Sequence, residues 1–204
     1  MVRYFKGWSL LILVSMATAL FTLGYPAAIG FSVEALRWGL HATARISAML
    51  FLLAFTASAA VTLFPNAFTR WQIANRRMLG LGFAFSHLVH AGFIVAFSMQ
   101  GPAEYAEAIT PGMIGVGAVG YTLIVLMAAT SFRPVAEWVG AKSWRLIHMI
   151  GVHWLALQFI IAFGKRIPTG GTLYAGFTAL FVLAIGLRLY ASRQRGKHRA
   201  RKPA

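Results

Sequence analysis

Six mostly apolar stretches dominate this 204-residue chain: Trp8–Gly24, Ile46–Phe64, Met78–Met99, Ile114–Phe132, Trp144–Phe163 and Leu173–Leu189. Each approaches the ~20 residues that a helix needs to cross the hydrocarbon core of a bilayer. Between them they leave short loops and no room for a soluble domain. Charged residues make up only 11% of the chain, less than half of the roughly 25% of soluble domains, so a water-facing surface could not be covered. The expected fold is an all-α integral membrane protein, a bundle of six transmembrane helices. The first apolar run follows Arg3 and Lys6 as a signal peptide would. It is longer than the 7–15 residues of a signal core and reads as an uncleaved span.

The basic residues orient the bundle. With the N-terminus inside, Arg3, Lys6, Arg70, Arg76, Arg77, Arg133, Lys142, Arg145 and seven residues from Arg188 to Lys202 are cytoplasmic. That is 15 of the 19 Lys and Arg. The outer segments hold Arg37, Arg45, Lys165 and Arg166, with Glu104 and Glu107 in the loop after the third span. The positive-inside rule then places both termini in the cytoplasm. Residues 1–40 read as the first helix and an outer loop, 41–190 as the main membrane domain and 191–204 as a basic cytoplasmic tail. A run of Lys and Arg beside a last span holds anionic lipid headgroups, and no nucleic-acid partner is expected despite a pI near 11.5. His198 belongs to that tail.

What the chain lacks narrows its chemistry. Cysteine is absent, which excludes disulfides, iron–sulfur clusters, thiolate-ligated haem and cysteine nucleophiles. Aspartate is absent too. Gly115-Val-Gly117-Ala-Val-Gly120 matches the dinucleotide-binding pattern letter for letter, but lies at the start of the fourth apolar run rather than after a strand. Its glycines are expected to let helices approach closely in lipid.

Six His and four Glu remain. Four of the His fall within spans: His87 and His90 on the third, His148 and His153 on the fifth. Ionisable groups inside a membrane are costly and mark function by default. No acidic residue lies at the centre of a span, which weakens an ion-coupled transporter. His87-x-x-His90 puts two imidazoles about 60° apart around a helix, roughly 4.5 Å along it. Zinc wants three or four ligands. Imidazoles on two facing helices of a bundle could instead bracket a haem. Counted from Arg77 and Arg145 at 1.5 Å per residue, His87 lies about 15 Å deep, His90 about 20 Å, His153 about 12 Å and His148 about 5 Å. Depth therefore pairs His87 or His90 with His153. Histidines three or five residues apart on one helix are too close to serve two stacked haems, so one haem is expected.

Arg76-Arg77-Met-Leu-Gly80-Leu followed by His90, and Trp144-x-x-x-His148, resemble the ferric reductase-like transmembrane domain. They resemble most its MsrQ (YedZ) branch, the haem-binding membrane subunits of bacterial methionine sulfoxide reductase systems. His41-Ala-Thr-Ala-Arg45 opening the second span, Thr130-Ser131 ending the fourth and Tyr174-Ala-Gly176 in the sixth add to the likeness, which runs over roughly residues 41–190. The resemblance implies a b-type cytochrome of the bacterial inner membrane that passes electrons outward from the cytoplasmic side. It carries the haem-linked histidines onto His90 and His148, and a contact to a haem propionate or to the phosphate of FMN onto Arg76 and Arg77. The family's second fifth-helix histidine falls on Ile161, and His87 and His153 are additional. His41 is expected to cap or orient an outer loop.

With no Rossmann unit and no flavin domain, hydride from a nicotinamide nucleotide has nowhere to go. A separate cytoplasmic flavin reductase, a bound flavin or a membrane quinol is the expected donor, and a periplasmic reductase is an expected partner. Two other readings compete. A transporter or channel would use the histidines as structural or proton-relay groups, and an assembly subunit would use them for stability alone.

Overall fold

The computed structural model describes residues 5–200, with side chains to residue 197. Eight helices follow one another: α1 (Gly7–Ile29), α2 (Val33–Leu63), α3 (Ala67–Ala74), α4 (Arg76–Gln100), α5 (Pro102–Ala108), α6 (Pro111–Ala129), α7 (Arg133–Gly164) and α8 (Ile167–Ala200). There is no strand among the described residues. The helices α1, α2, α4, α6, α7 and α8 are long and apolar enough to cross a membrane. All six expected spans are therefore present. The short α3 and α5 are additions that the apolar pattern did not announce. Six crossings put the start of α1 and the end of α8 on one face, called here the termini face. The loops around α5 lie on the opposite face.

Local sequence explains where helices start and stop. Ser32 accepts a hydrogen bond from the Ala35 N–H and starts α2, well before the apolar run at Ile46. Asn66 and Thr69 form a reciprocal capping box on α3. Thr110 and Pro111 open α6, and Thr130 closes it. Both α7 and α8 bend at a glycine: Gly140 has φ 77° and Gly171 has φ 62°. That backbone region strains residues with a Cβ, so glycine permits each turn. Before its kink α7 carries Arg133 and the exposed Trp138, an interface segment rather than a spanning one. The tail that reads as a separate segment continues α8 as far as Ala200. His198 lies outside the described side chains.

The contacts close a ring: α2 packs on α4, α4 on α6, α6 on α7, α7 on α8 and α8 on α2, with α1 laid outside against α2 and α4. Aromatic side chains fill the centre. Phe51 of α2 meets Phe83 of α4, Phe159 of α7 and Phe181 of α8 at centroid distances of 5.2, 5.5 and 5.9 Å. Ridges of small and hydroxylated residues join α2 to α4. Gly39 gives its Cβ space to the Phe93 ring, and the Ser47 hydroxyl donates to Ser86 at 2.8 Å. Such pairs hold helices together where lipid removes the hydrophobic drive.

The glycine pattern in α6 acts in part as expected. Gly120 packs against Gln158 of α7, but a Cβ at Gly115 or Gly117 would meet nothing within 4 Å. One glycine of the three serves helix approach.

Candidate haem site

His90 and His87 project from α4 toward the ring. The buried hydroxyl of Thr43 on α2 and Nδ1 of His90 share a hydrogen bond of 2.7 Å. Thr43 reaches this position because the helix places it one turn beyond Gly39, whose carbonyl accepts from the same hydroxyl at 2.7 Å. Fixing Nδ1 leaves Nε2 of His90 free. A metal-binding imidazole is ordinarily held in this way, with the remote nitrogen anchored and the other offered.

His87 is one turn nearer the termini face, its ring 5.5 Å from that of His90. Phe83, Tyr121 and Phe159 surround it at 4.8, 5.6 and 5.8 Å. The Tyr121 hydroxyl donates to the His87 carbonyl at 3.3 Å. Nδ1 of His87 is buried with no hydrogen-bond partner. A buried polar atom left alone costs about 1–3 kcal/mol, and His87 is held at that cost within an aromatic cage.

The α7 histidines lie elsewhere. Nε2 of His148 shares a 3.1 Å hydrogen bond with the Thr130 hydroxyl, and its ring packs on Trp144 at 4.5 Å. Trp144 in turn donates to the Thr130 carbonyl at 3.0 Å. These contacts fix His148 at the end of α6, near the termini face and within electrostatic range of Arg76. His153 is exposed. Its Nδ1 donates to the Met149 carbonyl at 2.7 Å, leaving Nε2 free, and its ring meets Phe55 edge-on at 6.1 Å.

Phe159 marks the level of His87 on α7. His153 is six residues short of it and His148 eleven, or about 9 and 16 Å along the axis. The structure brings His87 and His90 together and leaves His148 and His153 nearer the termini face. His153 is the nearer of the two to the level of His87, about 9 Å away along the axis where the depth count puts the two about 3 Å apart. Among the described residues no cluster of three or more His and Glu could hold a bare metal ion.

The two adjacent arginines separate. Arg77 is exposed, its guanidinium 5.6 Å from the centroids of both Trp8 and Phe132. Arg76 is half-buried and has no hydrogen-bond or salt-bridge partner among the described residues. His41 does not open a helix or cap a loop. It sits half-buried in the third turn of α2, within electrostatic range of Arg37, Arg45 and Arg166. The capping half of that expectation is corrected, because α2 begins at Val33 and carries His41 inside it.

Sequence reasoning missed Arg188. Counted there as an orienting charge, it turns into the bundle, donates to the Phe55 carbonyl at 2.6 Å and lies 4.2 Å from the Phe55 ring centroid. Its place just before Leu189, at the end of the last apolar run, was the available signal.

With this geometry in place, residues 38–162 match the family model described as ferric reductase like transmembrane component. The chain belongs to that family. The matched segment runs from α2 to α7 and includes all four intramembrane histidines. No curated protein and no solved structure matches the chain.

The residues fit a haem by the chemistry of their donors. His90 offers a free Nε2 with Nδ1 anchored, and His153 does the same from a backbone carbonyl. His87 holds an unpartnered buried nitrogen among Phe83, Tyr121 and Phe159.

Proposed function

We propose that this multi-pass membrane protein is a b-type cytochrome, the electron-transfer component of an oxidoreductase. The anchored imidazole of His90, beside the unpaired nitrogen of His87, carries the reading. One haem is proposed. His90 is its α4 ligand with His87 as the alternative, and the α7 ligand is His148 by family position or His153 by depth. Haem iron held between two imidazoles supplies one-electron chemistry.

The chain's own residues supply the setting. Thr43 holds the tautomer and orientation of His90, Phe83, Tyr121 and Phe159 exclude water from His87, and Arg76 offers a cation near the termini face. We take that face as the cytoplasmic side of the bacterial inner membrane, following the asymmetry of Lys and Arg. Donors of the proposed type are a separate flavin reductase, with FMN as a second cofactor candidate, or a membrane quinol. The acceptor is a reductase partner on the opposite side.

Proteoliposomes holding the protein and a trapped, impermeant one-electron acceptor test transport. Flavin reductase, flavin and NADPH outside should reduce the acceptor inside, and NADPH alone should not. No transfer with the complete donor would overturn the proposal. Transfer by NADPH alone would overturn the separate donor.

A further inference from the structure

Arg188 reaches from α8 into the bundle and makes two contacts with one residue of α2. Its guanidinium donates to the Phe55 carbonyl at 2.6 Å and lies 4.2 Å from the centroid of the Phe55 ring. Phe55 is buried, stacks on Phe51 at 5.3 Å and meets the imidazole of His153 edge-on at 6.1 Å. One aromatic side chain therefore joins an anchored cation on α8 to a histidine on α7.

A helical carbonyl keeps a second lone pair beyond its bond along the helix, and Arg188 takes the one on Phe55. A guanidinium over a ring face is held more strongly where water is scarce. The ring is thus fixed through its backbone and its face. Its contact with His153 has the edge-to-face form, at a separation usual for aromatic pairs. His153 itself is exposed, so burial does not hold its ring. Among the described residues its one hydrogen bond is from Nδ1 to the Met149 carbonyl at 2.7 Å, which leaves the lone pair on Nε2. His148 differs, because its Nε2 is engaged by Thr130 at 3.1 Å.

We infer, on the cytochrome reading proposed above, that His153 is the haem ligand from α7 and that Arg188 is its positioning residue, acting through Phe55. Arg188 lies outside the segment that matches the family, so the anchor belongs to α8 of this chain. Arg195 supplies the comparison. It carries the same charge about two turns further along α8, where its partners are Thr62 at 2.9 Å and the Ser58 carbonyl at 3.3 Å.

The test uses the full chain in neutral detergent with isotope-labelled histidine, first free of haem. The ring signals of His153, identified by their loss in His153→Ala, should report one tautomer protonated at Nδ1. Arg188→Met and Phe55→Leu should each give a mixture of both tautomers. Arg188→Lys should fall between, since it keeps the charge and loses the planar fork. Arg195→Met should match the parent. Haemin is then titrated into the same proteins. Arg188→Met and Phe55→Leu should weaken binding about tenfold, as loss of a group that orients a metal ligand does. Added to His153→Ala, neither should weaken it further, because the residue through which both act is gone. Phe55→Leu keeps the cation and the backbone carbonyl, so it reads the same chain of contacts even if Arg188→Met fails to fold.

A single tautomer in both Arg188→Met and Phe55→Leu would overturn the positioning role. Haem affinity that falls in His148→Ala and stays at the parental value in His153→Ala would overturn the ligand assignment and leave the cytochrome reading standing. A parent that binds no haem would overturn that reading and the ligand assignment together. The tautomers of the haem-free protein would then still decide whether Arg188 orients His153.

Discussion

Thr43→Val replaces the hydroxyl that fixes His90 by a methyl of nearly the same shape. The bond removed is 2.7 Å long and the Thr43 side chain that accepts it is fully buried, so no water takes its place. Side-chain hydrogen bonds between membrane helices contribute about 0.6 kcal/mol on average and up to about 1.7. Orphaning Nδ1 of His90 in an apolar interior moves this bond toward the upper end. A loss of about 1–2 kcal/mol in helix-bundle stability follows. The effect on haem is larger in kind, since losing the partner that orients a ligating imidazole lowers affinity about 10–100-fold. Thr43→Ser keeps the hydroxyl and gives up one methyl, about 0.8 kcal/mol of buried surface. It should destabilise modestly while holding haem as the parent does. The assay titrates haemin into the ligand-free protein and follows the Soret band, with unfolding in denaturing detergent measured alongside. Haem affinity within twofold of the parent in Thr43→Val would refute the role given to His90 and its anchor.

Other expectations are open to direct measurement. Reporter fusions should place Ala106, in α5, outside the cell and the C-terminus inside; an exported C-terminus would remove the six-span topology. Gly39→Ala pushes a methyl into the buried ring of Phe93 and should cost about 1–3 kcal/mol in thermal or detergent unfolding. Gly117→Ala should cost nothing measurable, because a Cβ there meets open space, whereas Gly120→Ala must displace the Gln158 amide that donates to the Val116 carbonyl at 3.0 Å. If the two α6 variants unfold alike, the packing assigned to Gly120 is wrong.

The spans were legible because lipid imposes a length and a composition, and both show in the letters. Helix starts were less so. Ser32 extends α2 more than a turn of apolar pattern could reveal, since a capped helix continues through polar residues such as His41 and Arg45 outside the hydrocarbon core. The same lack of pattern hid α3 and α5, which are short and amphipathic or polar. At the site, His87 and His90 were readable from spacing alone because a single helix fixes their relation. The relation of His153 to them was not, because it depends on the register between α4 and α7. The contact between those helices runs through Phe83 and Phe159, whose ring centroids are 6.2 Å apart, and no motif announces it. Arg76 and Arg188 show the same limit from the side of charge. An arginine that orients a helix and one that turns into the bundle look identical in sequence. Only the Phe55 carbonyl and ring tell them apart.

The central claim is that imidazoles of this chain hold a haem, and the visible spectrum of the purified protein tests it most directly. Oxidised and then dithionite-reduced, the parent should show the sharp α band of a low-spin bis-histidine b-type haem. His90→Ala should abolish it, and one of His148→Ala and His153→Ala should do the same. A colourless parent protein, or a band that survives in all four single variants of His87, His90, His148 and His153, would contradict the account.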